Sequence, residues 1–466
     1  MIQQNQTITQ ETETLETVQT STIRSDLIYG LEARPPFVES VFVALQHVFA
    51  CFVGIITPGL IICGALEVEP TDTTFILSMS LFVSGIATFI QAKRFGPVGS
   101  GLLSVQGTSF AFLGPIIAAG LAVKEAGGSP TEALSLIFGL CLFGAFVEIL
   151  ISRFLHLANK IITPLVTGVV VTLIGLTLIK VGITSIGGGV VAQRNETFGS
   201  PVYLGIAALV LIVIVALNSL NNNYLRMSSV VIGLAVGYLV SIPLGLVSFS
   251  NLSGLPLITI PIPFRYGLGF DFGAFIPFAF LYMITAIESI GDLTATSAIS
   301  GEPIEGAKYF RRLKGGVLGD GINSIIAACF NTFPNTTFSQ NNGVIQLTGV
   351  GSRYVGYFIS VIFVILGLFP IVAGVFQALP QPVLGGATLV MFATVAVAGI
   401  KIISCVDLSK RNSIILAIAL GLGLGVTFEP TILDSLPNLI KSIFSSGIST
   451  GGLTALVLNL ILPGKE

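Results

Sequence analysis

The chain has 466 residues, 53% of them hydrophobic and only 9% charged, with a formal net charge of -2 and a mean hydropathy of +0.94. That leaves too little polar surface to cover a soluble globule of this size, so the bulk belongs in lipid, and the lack of any basic block excludes nucleic acid as a partner. Five cysteines (Cys51, Cys63, Cys141, Cys329, Cys405) lie in or beside apolar runs without metal-ligand spacing and read as small buried hydrophobes, so neither a metal nor a cofactor is expected.

The first 38 residues are polar and contain no apolar h-region, which argues against a cleavable signal peptide. They read as a mobile cytoplasmic tail ended by Pro35 and Pro36. Beyond them, a hydropathy window of about 19 residues predicts spans over 40–62, 73–91, 103–121, 131–151, 162–183, 201–217, 228–248, 273–299, 313–333, 337–350, 353–375, 383–400, 411–427 and 447–463. The expected fold is therefore an all-α polytopic membrane protein of 14 spans. The third and tenth spans are short and crowded with glycine and polar residues.

With the N-terminus inside, 16 of the 21 basic residues fall in cytoplasmic segments, and only Lys124, Lys180, Arg194, Arg265 and Lys441 stay outside. This agrees with the positive-inside rule and places both termini in the cytoplasm.

The chain also repeats itself. Span 5 opens Pro164-Leu165-Val166-Thr167-Gly168 and ends Gly182-Ile183; span 12 opens Pro382-Val383-Leu384-Gly385-Gly386 and ends Gly399-Ile400. Ser104 to Phe110 in span 3 match Ser339 to Gly343 in span 10 in the same sense. An offset of seven spans inverts the second copy, which gives two inverted seven-span repeats, about 38–250 and 265–466, joined by an external segment around Pro256, Pro261 and Pro263.

Carboxylates inside a membrane cost roughly 3 kcal/mol each at a helix centre, so each needs a reason. Glu288 and Asp292 are four residues apart in span 8 and share a helix face. Two like charges at low dielectric do not both ionise cheaply, so one is expected to hold a proton or to have a partner. Asp320 sits between glycines in span 9, where it either joins a polar network or tethers backbone, and His47 sits in the apolar run of span 1 beside Gln46. Glu148, close in sequence to Arg153, reads as interfacial.

Span 10 brings Gln340, Asn341, Asn342 and Gly343 together between Pro334 and Gly351, where a lipid-facing helix has no use for amides. The planar amide of Gln340 matches the paired C=O and N–H edge of an oxidised purine or pyrimidine, and Glu288 can accept from ring N–H groups on the other side. A half helix starting near Asn341 would add backbone donors and a positive dipole end. Phe110 and Phe338 could cover the ring faces.

The run QNNGVIQLTG, Gln340 to Gly349, resembles the signature of the nucleobase-ascorbate transporter family, also called nucleobase:cation symporter-2. The resemblance extends through QHVFA at His47, GSGLLSVQGTSF at Gly99 to Phe110, ITPLVTGVVV in span 5, IESIGDLTATS in span 8, FNTFPN and PVLGGATLVMF. It is closer to bacterial xanthine permeases than to uracil permeases. It implies a core domain (39–160 and 265–378, spans 1 to 4 and 8 to 11) moving against a gate domain (161–264 and 379–466), with short strands meeting in spans 3 and 10. It further implies that Glu288 and Gln340 bind substrate. Phe110 backbone, Asn341, Ser109 and Gly343 would complete the site, and His47, Asp292 and Asp320 would form the supporting polar or proton-coupling network.

The expected activity is import of an oxidised purine, xanthine first and uric acid second, by proton symport with an elevator motion at the cell membrane. Sodium remains open as the coupling ion, and a homodimer as the assembly. A uracil permease and an anion carrier of the same fold are the alternatives, and Glu288 opposes the anion. No protease or hydrolase motif such as HExxH or GxSxG is present, so no enzymatic activity is expected.

Overall fold

In the computed structural model, the residues described are 27–155, 163–222, 225–226, 228–247, 255–404, 406–433, 435–437, 440, 444 and 446–463. Residues 1–26 of the expected tail, and Lys160, Cys405, Lys441 and Lys465, lie outside the described residues. In chain order the elements are α1 (Phe37–Ala65), α2 (Pro70–Lys93), β1 (Gln106–Thr108), a 3-10 turn (Phe110–Phe112), α3 (Leu113–Glu125), α4 (Pro130–Arg153), α5 (Pro164–Ile186), α6 (Gly189–Arg194), α7 (Pro201–Ser219) and α8 (Ser229–Ser241). The second half adds α9 (Phe272–Ile299), α10 (Gly306–Cys329), β2 (Asn335–Thr337), α11 (Gln340–Thr348), α12 (Arg353–Leu368), α13 (Pro370–Gln377), α14 (Gln381–Ser404), α15 (Lys410–Phe428), a 3-10 turn (Pro430–Leu433) and α16 (Gly447–Ile461).

Among the described residues, eight helices are long and apolar enough to cross a membrane, or nine with α12 and α13 taken together. Those two are bent by 74° at Phe369, where Pro370 cannot continue the helical ladder. This breaks the span expected over 353–375. The helix expected over 313–333 starts earlier, at Gly306, because a charged first turn lowers hydropathy without stopping a helix. Local chemistry sets several starts: Pro70, Pro130, Pro164 and Pro201 open α2, α4, α5 and α7. Ser129 and Glu132 form a capping box at α4, with Ser129 N–H donating to Glu132 Oε2 at 2.7 Å.

Pairing divides the helices into two sets. In one, α2 packs on α12, α10 on α4, α9 on α4 and α1 on α12; in the other, α5 packs on α14, α15 on α16, α7 on α8 and α14 on α7. Approaches between the sets are sparser, chiefly α9 to α5 and α9 to α16. The α5–α14 contact is the most extensive in the molecule, and small residues make it so. A Cβ at Gly175 would lie 2.2 Å from the Ala396 backbone nitrogen, one at Gly399 2.3 Å from Thr172 N, and one at Gly385 2.3 Å from Ile186 N. Between helices in lipid, such close backbone approach is a main source of association.

The end of the N-terminal segment is not loose. Ile28 and Tyr29 N–H groups donate to Gly349 O at 2.7 and 3.1 Å, Gly351 N–H to Tyr29 O at 2.9 Å, and Arg353 N–H to Leu31 O at 3.0 Å. Ser352 Oγ donates to Ala33 O at 2.5 Å, and Arg353 pairs with Glu32 at 2.8 Å. The segment therefore straps the connection between α11 and α12, a backbone pairing that hydropathy does not reveal.

Candidate functional site

Two short strands bring the halves of the chain together. β1 and β2 pair antiparallel with Gln106 opposite Thr337, Gly107 opposite Thr336 and Thr108 opposite Asn335. Ser109 N–H to Pro334 O at 2.8 Å and Phe338 N–H to Val105 O at 3.0 Å extend the ladder at either end. The strands are short because each is pinned by a neighbouring helix: Gln106 N–H donates to Thr88 Oγ1 at 3.0 Å and Asn335 N–H to Ser324 Oγ at 3.2 Å. Gly107 is required there, since a Cβ would come within 2.5 Å of the Phe338 ring and 2.7 Å of Ile55. A 3-10 turn and α3 follow β1, and the nine-residue α11 follows β2, so the helices expected over 103–121 and 337–350 are each replaced by a strand and a half helix.

Where α11 begins, a cavity of about 280 Å³ opens between the two helix sets. One wall consists of Glu288, Gly291, Asp292 and Ala295 from α9 with Thr336 to Gln340 and Asn342. Thr167, Val171 and Ile174 of α5 and Val395, Ala398, Lys401 and Ile402 of α14 form the other. Phe110 stands at the edge, edge-to-face against Phe392 with ring centroids 5.3 Å apart. Nearly all the hydrogen-bonding groups thus lie on one wall, and the other is mostly apolar.

Of the residues singled out in the sequence, Glu288, Asp292, Gln340 and Phe110 reach this cavity. Asp292 Oδ2 accepts from Thr337 Oγ1 at 3.2 Å. Glu288 Oε2 has no donor within the protein, and among the described residues the Gln340 amide has no hydrogen-bond partner either. One buried carboxyl oxygen on this wall is therefore unsatisfied within the protein, and the half-buried Gln340 amide beside it is free to bond. The others stand behind or beside them. Asn341 is buried, its Nδ2 donating to Leu103 O at 2.6 Å, so that it ties α11 to the segment before β1. His47 is fully buried on α1 beside Asn341, and neither of its ring nitrogens closes a hydrogen bond. Ser109 is buried, with its hydroxyl unpartnered, and does not line the cavity. Gly343 faces a second hollow of about 270 Å³ on the other side of Gln340, which also includes Phe49, Arg226 and Thr394.

The donors expected from the start of α11 are partly used: Asn341 and Asn342 N–H groups bond back to Phe338 O and Ser339 O at 3.1 and 3.0 Å. The dipole end of the helix still faces the cavity. Asp320 lies deeper, with Oδ1 accepting from Gln91 Nε2 at 2.6 Å. Gln91 also donates to Gly316 O and accepts from Ser100 N–H, both at 2.8 Å, so one amide joins α2, α10 and the turn before β1. Glu148 is not interfacial. It is 1% exposed, enclosed by α9 and α10 rather than by headgroups, because its helix face packs inward.

Sequence reasoning missed Thr337, Gln91 and Lys401, and it singled out Asn342 only as one of the amides of span 10. Asn342 Oδ1 accepts from Thr296 Oγ1 at 2.7 Å, linking α11 to α9, and Lys401 closes the cavity from α14. Their partners are remote in sequence, and no local spacing signals them. Among the described residues no group of three or more His, Cys, Asp or Glu could hold a metal ion. Chemically, the cavity offers an amide with both donor and acceptor, a carboxyl group, and aromatic rings at its edge. It lies just below the usual size range of pockets for drug-like ligands, about 300–1,000 Å³, and so suits a small planar polar ring.

Residues 38–432 match the profile of the Permease family. The chain is 51% identical to the xanthine permease XanP of Escherichia coli (strain K12) over 446 residues, 96% of each chain. It is 48% identical to the xanthine permease XanQ of the same organism over 440 residues, 94% of each. In fold it is similar to the transmembrane domain of the cyanobacterium bicarbonate transporter BicA, with a TM-score of 0.56 at 16% identity, covering 89% of this chain and 99% of that one.

Proposed function

This chain belongs to the Permease family of nucleobase:cation symporters, and from that premise we propose that it imports an oxidised purine, xanthine, across the cell membrane by proton symport. One observation carries the reading. Glu288 and Gln340, the two groups whose chemistry matches a purine's N–H and amide-like edges, share a cavity wall, and Glu288 Oε2 has no donor within the protein. A bound oxopurine would satisfy both, with Phe110 at the ring edge and Asp292, held by Thr337, one turn from Glu288. A carboxyl group on the wall disfavours a small anion as cargo, although the fold is shared with a bicarbonate transporter.

The transport motion follows from the asymmetry of the walls. The polar wall belongs to the set of α1–α4 and α9–α13, the proposed core domain; the apolar wall belongs to α5–α8 and α14–α16, the proposed gate. An elevator motion carries the ligand groups with the core past the α5–α14 face, which presents Thr167 and Lys401 among otherwise apolar residues. The matched pairings support two inverted seven-span repeats within a 14-span layout. The contact of α2 with α12 has its counterpart in α10 with α4, and that of α9 with α4 in α1 with α12. Both termini are proposed to be cytoplasmic.

The test is uptake of labelled xanthine by cells lacking their own purine permeases, with and without a protonophore and with unlabelled uric acid, hypoxanthine or uracil as competitors. Saturable accumulation that collapses with the proton gradient is expected. Accumulation of uric acid or uracil in place of xanthine would reassign the substrate; no uptake of any of them would overturn the reading.

A further inference from the structure

Glu148 has no part in the cavity described above, yet it is built into the same polar interior. On α4 it continues the face that carries Cys141, Gly144 and Ala145, residues at helical spacings of seven, four and three. That face is pressed into α9 and α10. A side chain at Gly144 would strike the Tyr282 ring, and Gly321, next to Asp320, lies against α4 backbone at Ala145 and Ile149. Tyr282 Oη donates to Cys141 O at 2.8 Å.

Packing of this kind leaves Glu148 1% exposed. Oε2 meets no donor, and among the described residues no hydrogen bond or ion pair reaches the carboxyl group. The titratable groups in electrostatic reach of it are Asp320 from α10, whose neighbour Gly321 packs on Ala145 and Ile149 of α4, and Glu288 and Tyr282 from α9. From α3 nothing charged approaches, because Lys124 and Glu125 stand at its far end and Lys124 pairs with Glu67. Arg153, on α4 itself, is exposed at the helix end. Asp320 Oδ2 is likewise without a donor. Two buried carboxyl groups with orphaned oxygens and no cation between them cannot both be charged cheaply, and one shared proton relieves both.

We propose that Glu148 is a proton-holding residue of the transport cycle, exchanging a single proton with Asp320 behind the substrate cavity. When Asp320 is ionised the proton resides on Glu148. When it moves, the O–H bond at Glu148 breaks and one forms at Asp320, and the pair keeps one proton and one negative charge throughout. Glu288 and Asp292, the other carboxyl groups in electrostatic reach of the pair, both line the cavity and connect the pair to it. Glu148 itself does not touch substrate, so it acts through Asp320 as a positioning residue for the proton. The inference rests on the proton symport proposed above.

The experiment uses the full-length protein in proteoliposomes, measuring both xanthine accumulation driven by an imposed proton gradient and equilibrium exchange over a range of pH. Glu148→Gln, which is neutral and of the same shape, is expected to keep exchange near the parent rate. Driven accumulation should fall about tenfold, with its pH profile displaced by about one pH unit, and Glu148→Asp should restore part of the pH dependence. An unchanged profile and level in Glu148→Gln would overturn the proposal, as would equal loss of exchange and accumulation without any recovery in Glu148→Asp. Should Glu148→Gln fail to reach the membrane, Glu148→Asp decides: a displaced profile supports the role and a parental one overturns it. If the parent protein itself shows exchange but no gradient-driven accumulation, proton symport fails and the role of Glu148 fails with it.

Discussion

Glu288 and Asp292 stand one helical turn apart on α9 and line the same cavity, but only Asp292 has a protein donor, Thr337 Oγ1 at 3.2 Å. The difference separates their roles. Asp292 is tied to β2 and so to the floor of the site, whereas Glu288 Oε2 is left for a ligand or a proton.

Glu288→Gln should therefore abolish xanthine uptake while leaving membrane content intact. Losing a hydrogen bond to a charged group costs about 1.5–3 kcal/mol, which is roughly a tenfold to hundredfold fall in transport efficiency. Labelled uptake alongside immunoblotting of membranes measures both quantities; normal uptake would remove Glu288 from the site.

For Asp292→Asn the loss should fall on energised accumulation more than on equilibrium exchange. Thr337→Val, which removes the donor but leaves the carboxyl group, should weaken both by less. Equal loss of accumulation and exchange in Asp292→Asn would make that residue a structural tether.

Gly107→Ala tests the strand pair. The added carbon has no room between the Phe338 ring and Ile55, and overpacking of this kind costs about 1–3 kcal/mol. A lower Tm of the purified protein and weaker xanthine binding are expected together, because Phe338 lines the cavity. Unchanged values for both would show that the rings move aside freely.

Gly175→Val should separate α5 from α14, since its Cβ meets the Ala396 backbone at 2.2 Å. The expected result is a loss of thermal stability comparable to or larger than that of Gly107→Ala, together with weaker xanthine binding, because Ile174 and Val395, the neighbours of Gly175 and Ala396, line the cavity. Parental stability and affinity in this variant would show that the two helices part without cost.

Much of this site could be read from the chain, for reasons that differ by residue. Glu288 and Asp292 are visible because four residues make one helical turn, and Gln340 because amides are conspicuous in an apolar run. The strands are three residues each, too short to set up any period, and they exist only because segments far apart in the chain meet: Gln106 lies opposite Thr337. Glu148 was misread because its sequence neighbour Arg153 suggested a headgroup environment, whereas the face it occupies is decided by Gly144 and by Gly321 on another helix. The bend between α12 and α13 had a legible cause in Pro370, but hydropathy averages across a proline. The strap of residues 27–36 left no signal, being held largely by main-chain groups.

That strap has a consequence for how the protein is made. The strap has its partners at the far side of the chain: Ala33 waits for Ser352, 319 residues later, and Arg34 for Tyr354, 320 residues later. Residues 27–36 are thus secured only after the segment from Gly349 to Tyr354 has been made, and α1 is complete long before its N-terminal end is fastened. A nascent chain halted anywhere before residue 349 therefore holds its early spans with the strap still lacking its partners.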